Sequence, residues 1–137
     1  MMLKCFTFLL LVAAAQALTY VIKEEPKASE TGARASTIPA PTLEHLNTFL
    51  EPFMGTAITW SPGEGSNNIL GYKVTSWIQT GSNNMFSRYQ DVYAYGPGQT
   101  MAVVAPLYKY TWFRFVVQAF NSEGYSVESN AWRAIII

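Results

Sequence analysis

Cysteine is almost absent from this chain: its 137 residues contain one, Cys5. Histidine is as scarce, with His45 alone, and Asp91 is the only aspartate. One histidine and one cysteine cannot assemble a His/Cys metal cluster. Charge of a single sign is missing too. Nine basic residues balance nine acidic ones, so no field exists to draw in nucleic acid or an anionic membrane surface. A serine hydrolase would need Asp91, His45 and one serine to converge. No G-x-S-x-G elbow is present, and "GYSVE" from Gly124 to Glu128 lacks the closing glycine. "GEGSNN" from Gly63 to Asn68 starts as G-x-G but has no third glycine, so it is expected as a loop between strands and not as a phosphate cradle. Nothing in the spacing of Glu64, Asp91 and Glu123 favours a calcium site. No asparagine begins an N-x-Ser/Thr acceptor. The expectation is a protein that is not an enzyme and has no catalytic residues, no metal and no cofactor.

The first residues, 1–17, read "MMLKCFTFLLLVAAAQA", with Lys4, an apolar run from Cys5 to Ala15 and the small-x-small pattern Ala15-Gln16-Ala17. This is the pattern of a secretory signal peptide cut after Ala17, since a membrane anchor needs about 20 apolar residues and Gln16 breaks the run earlier. Cleavage removes Lys4 and Cys5, leaving eight basic and nine acidic residues, a net charge of −1 with His45 neutral. A secreted domain without cysteine is not a cystine-stapled scaffold or a disulfide-pinned immunoglobulin domain. It must be stabilised by its own packing. No later apolar run is long enough to span a bilayer, so no membrane insertion is expected. Residues 18–37, "LTYVIKEEPKASETGARAST", turn polar and small after their first positions and sustain no period, which predicts a flexible leader.

What the chain does have is apolar and aromatic mass: 50% of its residues are hydrophobic and 15% aromatic. That suffices for one core in a chain too short for two ordinary domains. Past Ile38, β-branched and aromatic runs alternate with Gly, Pro, Ser and Asn clusters. The runs predict seven strands: Thr42 to Phe49, Ala57 to Ser61, Ile69 to Thr80, Met85 to Tyr95, Gln99 to Ala105, Thr111 to Asn121, and Ala131 to Ile137. Between them, "PGEGSNN", "GSNN", "GPG" and "NSEG" supply turn residues. The fold class expected over 38–137 is therefore all-β, an antiparallel sandwich of two sheets packed face to face. If Thr111 to Asn121 is a strand, Phe113, Phe115, Val117 and Ala119 share its core face, while Trp112, Arg114, Val116, Gln118 and Phe120 share the other.

At these residues the chain resembles a fibronectin type III domain, an immunoglobulin-like sandwich. That family's pattern at its sixth strand is Leu-x-Pro-x-Thr-x-Tyr-x-x-x-Val-x-Ala-x-Asn, then a turn with x-x-Gly-x-Ser and a serine three further on. Leu107, Thr111, Val117, Ala119, Asn121, Gly124, Ser126 and Ser129 fall on it. Trp60 and the following "SPGEGSNNILGYKV" resemble the family's second-strand tryptophan, its loop and its Gly-Tyr-x-Val third strand, here Gly71, Tyr72 and Val74. The resemblance implies a core of Trp60, Tyr72, Val74, Leu107, Phe113, Phe115, Val117 and Ala119. There are two departures. Lys109 stands at the family's proline and Phe113 at its tyrosine, so the hydroxyl that would reach back to an upstream carbonyl is missing.

The aromatic excess remains. Trp112, Val116 and Phe120 on the outward parity of the sixth strand, with Trp77 on the third, are the candidate interface, because aromatics bury large area at low entropic cost. The competing reading has the leader folding over this face, or long side chains such as Arg114 and Lys73 covering those rings. Tyr89, Tyr93 and Tyr95 share one parity of the fourth strand, its face undetermined. The terminal "RAIII" is expected as an ordinary terminal strand; the competing reading is an exposed β-branched edge that pairs with another chain. By resemblance, the function expected is that of a secreted, extracellular protein-binding or adhesion module. The alternative is a self-associating structural component of an extracellular matrix, including a mineralised one.

Overall fold

Alternating apolar and polar positions become antiparallel strands throughout the described residues, which in the computed structural model are 19–24, 38–64, 68–81 and 85–137. Among these described residues nine strands form in chain order: β1 (Thr19–Glu24), β2 (Thr42–Phe49), β3 (Gly55–Ser61), β4 (Gly71–Gln79), β5 (Phe86–Tyr95), β6 (Met101–Val104), β7 (Trp112–Asn121), β8 (Gly124–Tyr125) and β9 (Ala131–Ile136). The larger sheet runs β1-β9-β7-β4-β5 with β8 beside β7, and the smaller runs β2-β3-β6. The architecture is an antiparallel β-sandwich of two sheets, with nine strands rather than the expected seven. The seven expected strands are all present, trimmed by one or two residues at some ends; β3 instead starts earlier, at Gly55.

The two additional strands have separate causes. β8 is a two-residue pairing inside the "NSEG" turn, Phe120 opposite Tyr125 and Asn121 opposite Gly124. β1 lies where a flexible leader was expected, and this corrects that expectation. Thr19 to Glu24 pair residue for residue with Ile136 back to Ala131. Tyr20, Val21 and Ile22 favour a pleated chain, and β9 would otherwise present a row of unpaired backbone groups. Six residues are too few for alternation to stand out against the polar sequence that follows. "RAIII" is consequently an inner strand of the sheet, covered by β1. The signal peptide expected over 1–17, and the leader residues 18 and 25–37, lie outside the described residues.

Between the sheets, Trp60, Tyr72, Val74, Leu107, Phe113, Phe115, Val117 and Ala119 are all buried, together with Ile58, Val104 and Trp132. The Trp60 and Tyr72 rings join the sheets, their centroids 5.3 Å apart. The Trp60 indole nitrogen is buried without a hydrogen-bond partner among the described residues. The side chain therefore stabilises through buried area and ring contact.

The serines after β7 act as a substitute strand. Between β8 and β9 the chain leaves the ladder, which would strand two β7 amides in the interior at a cost of about 1–3 kcal/mol each. The Ala119 amide donates to the Ser126 hydroxyl at 3.0 Å and the Val117 amide to the Ser129 hydroxyl at 2.9 Å. The Ser126 and Ser129 amides return bonds to the Ala119 and Val117 carbonyls at 2.8 and 2.9 Å. Asn121 accepts from the Glu123 amide at 2.8 Å, closing the turn in which Gly124 takes a φ of 141°.

The missing corner hydroxyl is supplied from elsewhere. A register shift between Ser76 and Trp77 of β4 sets Ser76 opposite Gln90 and Trp77 opposite Arg88, leaving Tyr89 as the extra residue of a bulge. A bulge re-aims a side chain. Tyr89 packs against the core and meets Phe113 edge-on at 5.3 Å, and its hydroxyl donates to the Pro106 carbonyl. Beside it, the Gln90 side-chain amide donates to the Ala105 carbonyl at 2.6 Å.

Candidate functional site

The outer face of the larger sheet is set by strict registers. Across β4 and β7, Phe120 lies opposite Gly71, Gln118 opposite Lys73, Val116 opposite Thr75 and Arg114 opposite Trp77. Across β4 and β5, Tyr95 lies opposite Gly71, Tyr93 opposite Lys73 and Asp91 opposite Thr75. All of these side chains share one face because successive residues of a strand alternate. The bulge at Tyr89 breaks the parity of β5. Tyr93 and Tyr95 reach the outer face, whereas Tyr89 turns to the core, so the three tyrosines expected on one face are divided.

The four candidate interface residues do not form one surface. Val116 is 0% exposed, although it points outward, and this corrects its place in the candidate interface. Thr75 opposite it is buried as well. By register this small central pair is flanked by long side chains, Lys73 and Trp77 along β4 and Arg114 and Gln118 along β7, of a kind that covers small neighbours. Trp77 is half-buried beneath two guanidinium groups, Arg114 at 4.8 Å and Arg88 at 5.9 Å from the ring centre. Arg88 is in turn held by Asp91 through hydrogen bonds of 3.1 and 2.9 Å. Trp112 is half-buried at the start of β7, opposite Ile135 of β9.

Phe120 belongs to a different cluster at the far end of the face. Its ring is ringed by Tyr125 at 5.6 Å, Tyr95 at 6.1 Å and Tyr93 at 6.2 Å. Glycine at position 71 is the floor of this cluster: a Cβ there would sit 2.8 Å from the Phe120 ring and 2.5 Å from the Ala94 carbonyl. Tyr93 and Tyr95 stack at 5.9 Å with their planes 14° apart. Lys73 sits 4.4 Å over the Tyr125 ring. A hydrogen bond with Tyr125, followed by burial, pushes the Tyr93 phenol above its ordinary range. Tyr93 is 41% and Tyr95 71% exposed. Such an arrangement offers flat apolar area, phenol hydroxyls and one cation within a few ångströms. The sequence signal for it was the alternation of Tyr93 and Tyr95, which could not be assigned a face without the bulge.

The other chemistry weighed from sequence lies scattered. His45 is exposed on β2 of the smaller sheet, while Asp91 is bound to Arg88 on the larger. Among the described residues no three of His, Cys, Asp and Glu gather to hold a metal ion. No helix among them is long and apolar enough to cross a membrane.

No protein-family model matches the chain. No curated protein matches it. Among solved structures, it is similar to a fibronectin type III domain of human collagen XX, with 19% identity, a TM-score of 0.52, and coverage of 77% of this chain and 98% of that one. It is also similar to the third fibronectin III domain of the human KIAA0343 protein, with 14% identity, a TM-score of 0.54, and coverage of 80% and 91%. With the two-sheet topology and the serine-bridged seventh strand, these likenesses establish that the chain has the fibronectin type III fold.

Proposed function

We propose that this protein is a secreted, extracellular protein-binding or adhesion module, not an enzyme, that engages its partner through the tyrosine cluster on the outer face of the larger sheet. The observation that carries the reading is the group Tyr93, Tyr95, Phe120 and Tyr125, in which two stacked phenol rings stand open to solvent. Tyrosine supplies large rigid contact area and a hydrogen-bonding tip at low entropic cost, the properties that concentrate binding energy at protein interfaces. The Trp77 end of the same face lacks that freedom, because Arg88 and Arg114 already cover the ring. The fold suits the role, since a stiff sandwich holds its surface side chains in place. Secretion is supported by the pattern of residues 1–17.

The test is capture of extracellular proteins by the purified secreted chain, compared with Tyr93→Ser/Tyr95→Ser and with Tyr110→Ser, which removes another exposed tyrosine outside the cluster. The double variant should lose partners that the single variant keeps. Equal capture by all three proteins would overturn the reading.

A further inference from the structure

β1 holds the edge of β9 almost entirely with its backbone. All six of its residues are in register with β9, yet none of its side chains belongs to the core. Tyr20 is 62%, Val21 37% and Ile22 42% exposed. Among the described residues its side-chain ties are three and partly buried: Thr19 donates to the Thr48 hydroxyl at 3.0 Å, Glu24 pairs with Arg133 at 2.7 Å, and Lys23 sits 4.6 Å over the ring of the buried Trp132.

Every one of these contacts is made to β9 or β2, and none requires that β1 belong to the same chain. Residues 25–37 separate β1 from the rest of the domain, a length of chain that reaches at most about 45 Å. A strand that carries its whole recognition surface, on a tether longer than itself, can serve a neighbouring copy with no new contacts. The bare edge it leaves is β-branched and has unpaired amides and carbonyls, so it does not persist uncovered.

We infer that β1 is an exchangeable strand, and that the β9 edge is an interface for a second copy of this chain. β1 closes on its own β9 in dilute protein and on the β9 of a second molecule in concentrated protein. The occupant is specified by the pairing itself: the alternation that puts Tyr20 and Ile22 outward, Lys23 on Trp132 and Glu24 on Arg133 fits the β1 sequence. This concerns the edge of the sheet and does not depend on the tyrosine face.

Tyr20 and Ile135 are direct cross-strand partners, and they make the test. The secreted chain, which after the expected cleavage keeps no native cysteine, carries Tyr20→Cys and Ile135→Cys and is prepared in light and isotopically heavy forms. The two are mixed and equilibrated in a thiol–disulfide buffer across a range of concentrations, and the bridges are mapped by mass spectrometry. The expected result is a 20–135 bridge within single chains at low concentration, with bridges joining light to heavy chains appearing as concentration rises. A 20–135 bridge confined to single chains at every concentration would overturn the exchange. Absence of any 20–135 bridge would overturn the pairing on which it rests.

Discussion

The Tyr89 hydroxyl donates to the carbonyl of Pro106. In the fibronectin type III pattern, one tyrosine of the sixth strand provides both a buried ring and a hydroxyl that reaches upstream; here Phe113 provides a ring and Tyr89, across the core edge, the hydroxyl. Tyr89→Phe keeps both rings and should cost about 1 kcal/mol. Burial first, then a hydrogen bond with Tyr108, push the Tyr89 phenol up to about 12. A phenol whose folded value is raised contributes stability that is complete below its unfolded value of about 10 and is lost as pH rises through the folded value. Denaturation midpoints should fall more steeply in the wild type than in Tyr89→Phe over that alkaline window, and parallel profiles would refute the assignment.

Trp60 buries its whole indole between the sheets, and burial of roughly 200 Å² at about 25 cal/mol per Å² gives an upper estimate near 5 kcal/mol. Trp60→Ala should lose about 3–5 kcal/mol and should unfold or badly loosen the domain. An unchanged melting transition would show that the core is centred elsewhere.

Ser126 and Ser129 each accept from a buried β7 amide. Replacing either with alanine leaves that amide without its partner and should cost about 1–3 kcal/mol. Hydrogen exchange should localise the effect, with the Ala119 amide accelerated in Ser126→Ala and the Val117 amide in Ser129→Ala. Exchange rates unaltered at both positions would refute the substitute-strand role.

Burial pulls the Asp91 carboxyl upward, but the Arg88 hydrogen bond and charge, with smaller help from Thr75 and Lys73, outweigh it and hold the group below its ordinary range. A depressed carboxyl contributes stability above its unfolded value of about 4, lost as pH falls through the lower folded value. The pair is solvent-exposed, so Asp91→Asn should cost under about 1 kcal/mol near neutrality. Measured by chemical denaturation, the difference from wild type should vanish well below pH about 4; a difference that persists there would point to packing instead of charge.

Much of this was legible in the chain itself, for reasons that lie close along the sequence. Alternation within Thr111 to Asn121 separates Phe113, Phe115, Val117 and Ala119 from their neighbours because a strand turns its side chains over at every residue. Turn clusters bound the strands because glycine and asparagine accept backbone angles that other residues resist. Parity groups Tyr89 with Tyr93 and Tyr95 because it assumes an unbroken ladder, and one inserted residue reverses everything beyond it. Parity puts Val116 on the outer face, where it is, yet Val116 is buried there, since parity gives direction and says nothing of what lies across it.

Local pattern thus determined seven of the nine described strands, the two-sheet class and the core of this protein, because period and turn chemistry act over a few neighbouring residues. Only the tertiary structure decided that Tyr89 replaces a hydroxyl lost 24 positions away at Phe113, that arginines cover Trp77 while Tyr93 and Tyr95 stay open, and that β1 closes the edge of β9. Each of these joins segments distant in sequence, and such pairings are selected by which surfaces and unpaired backbone groups the folded sheets bring together.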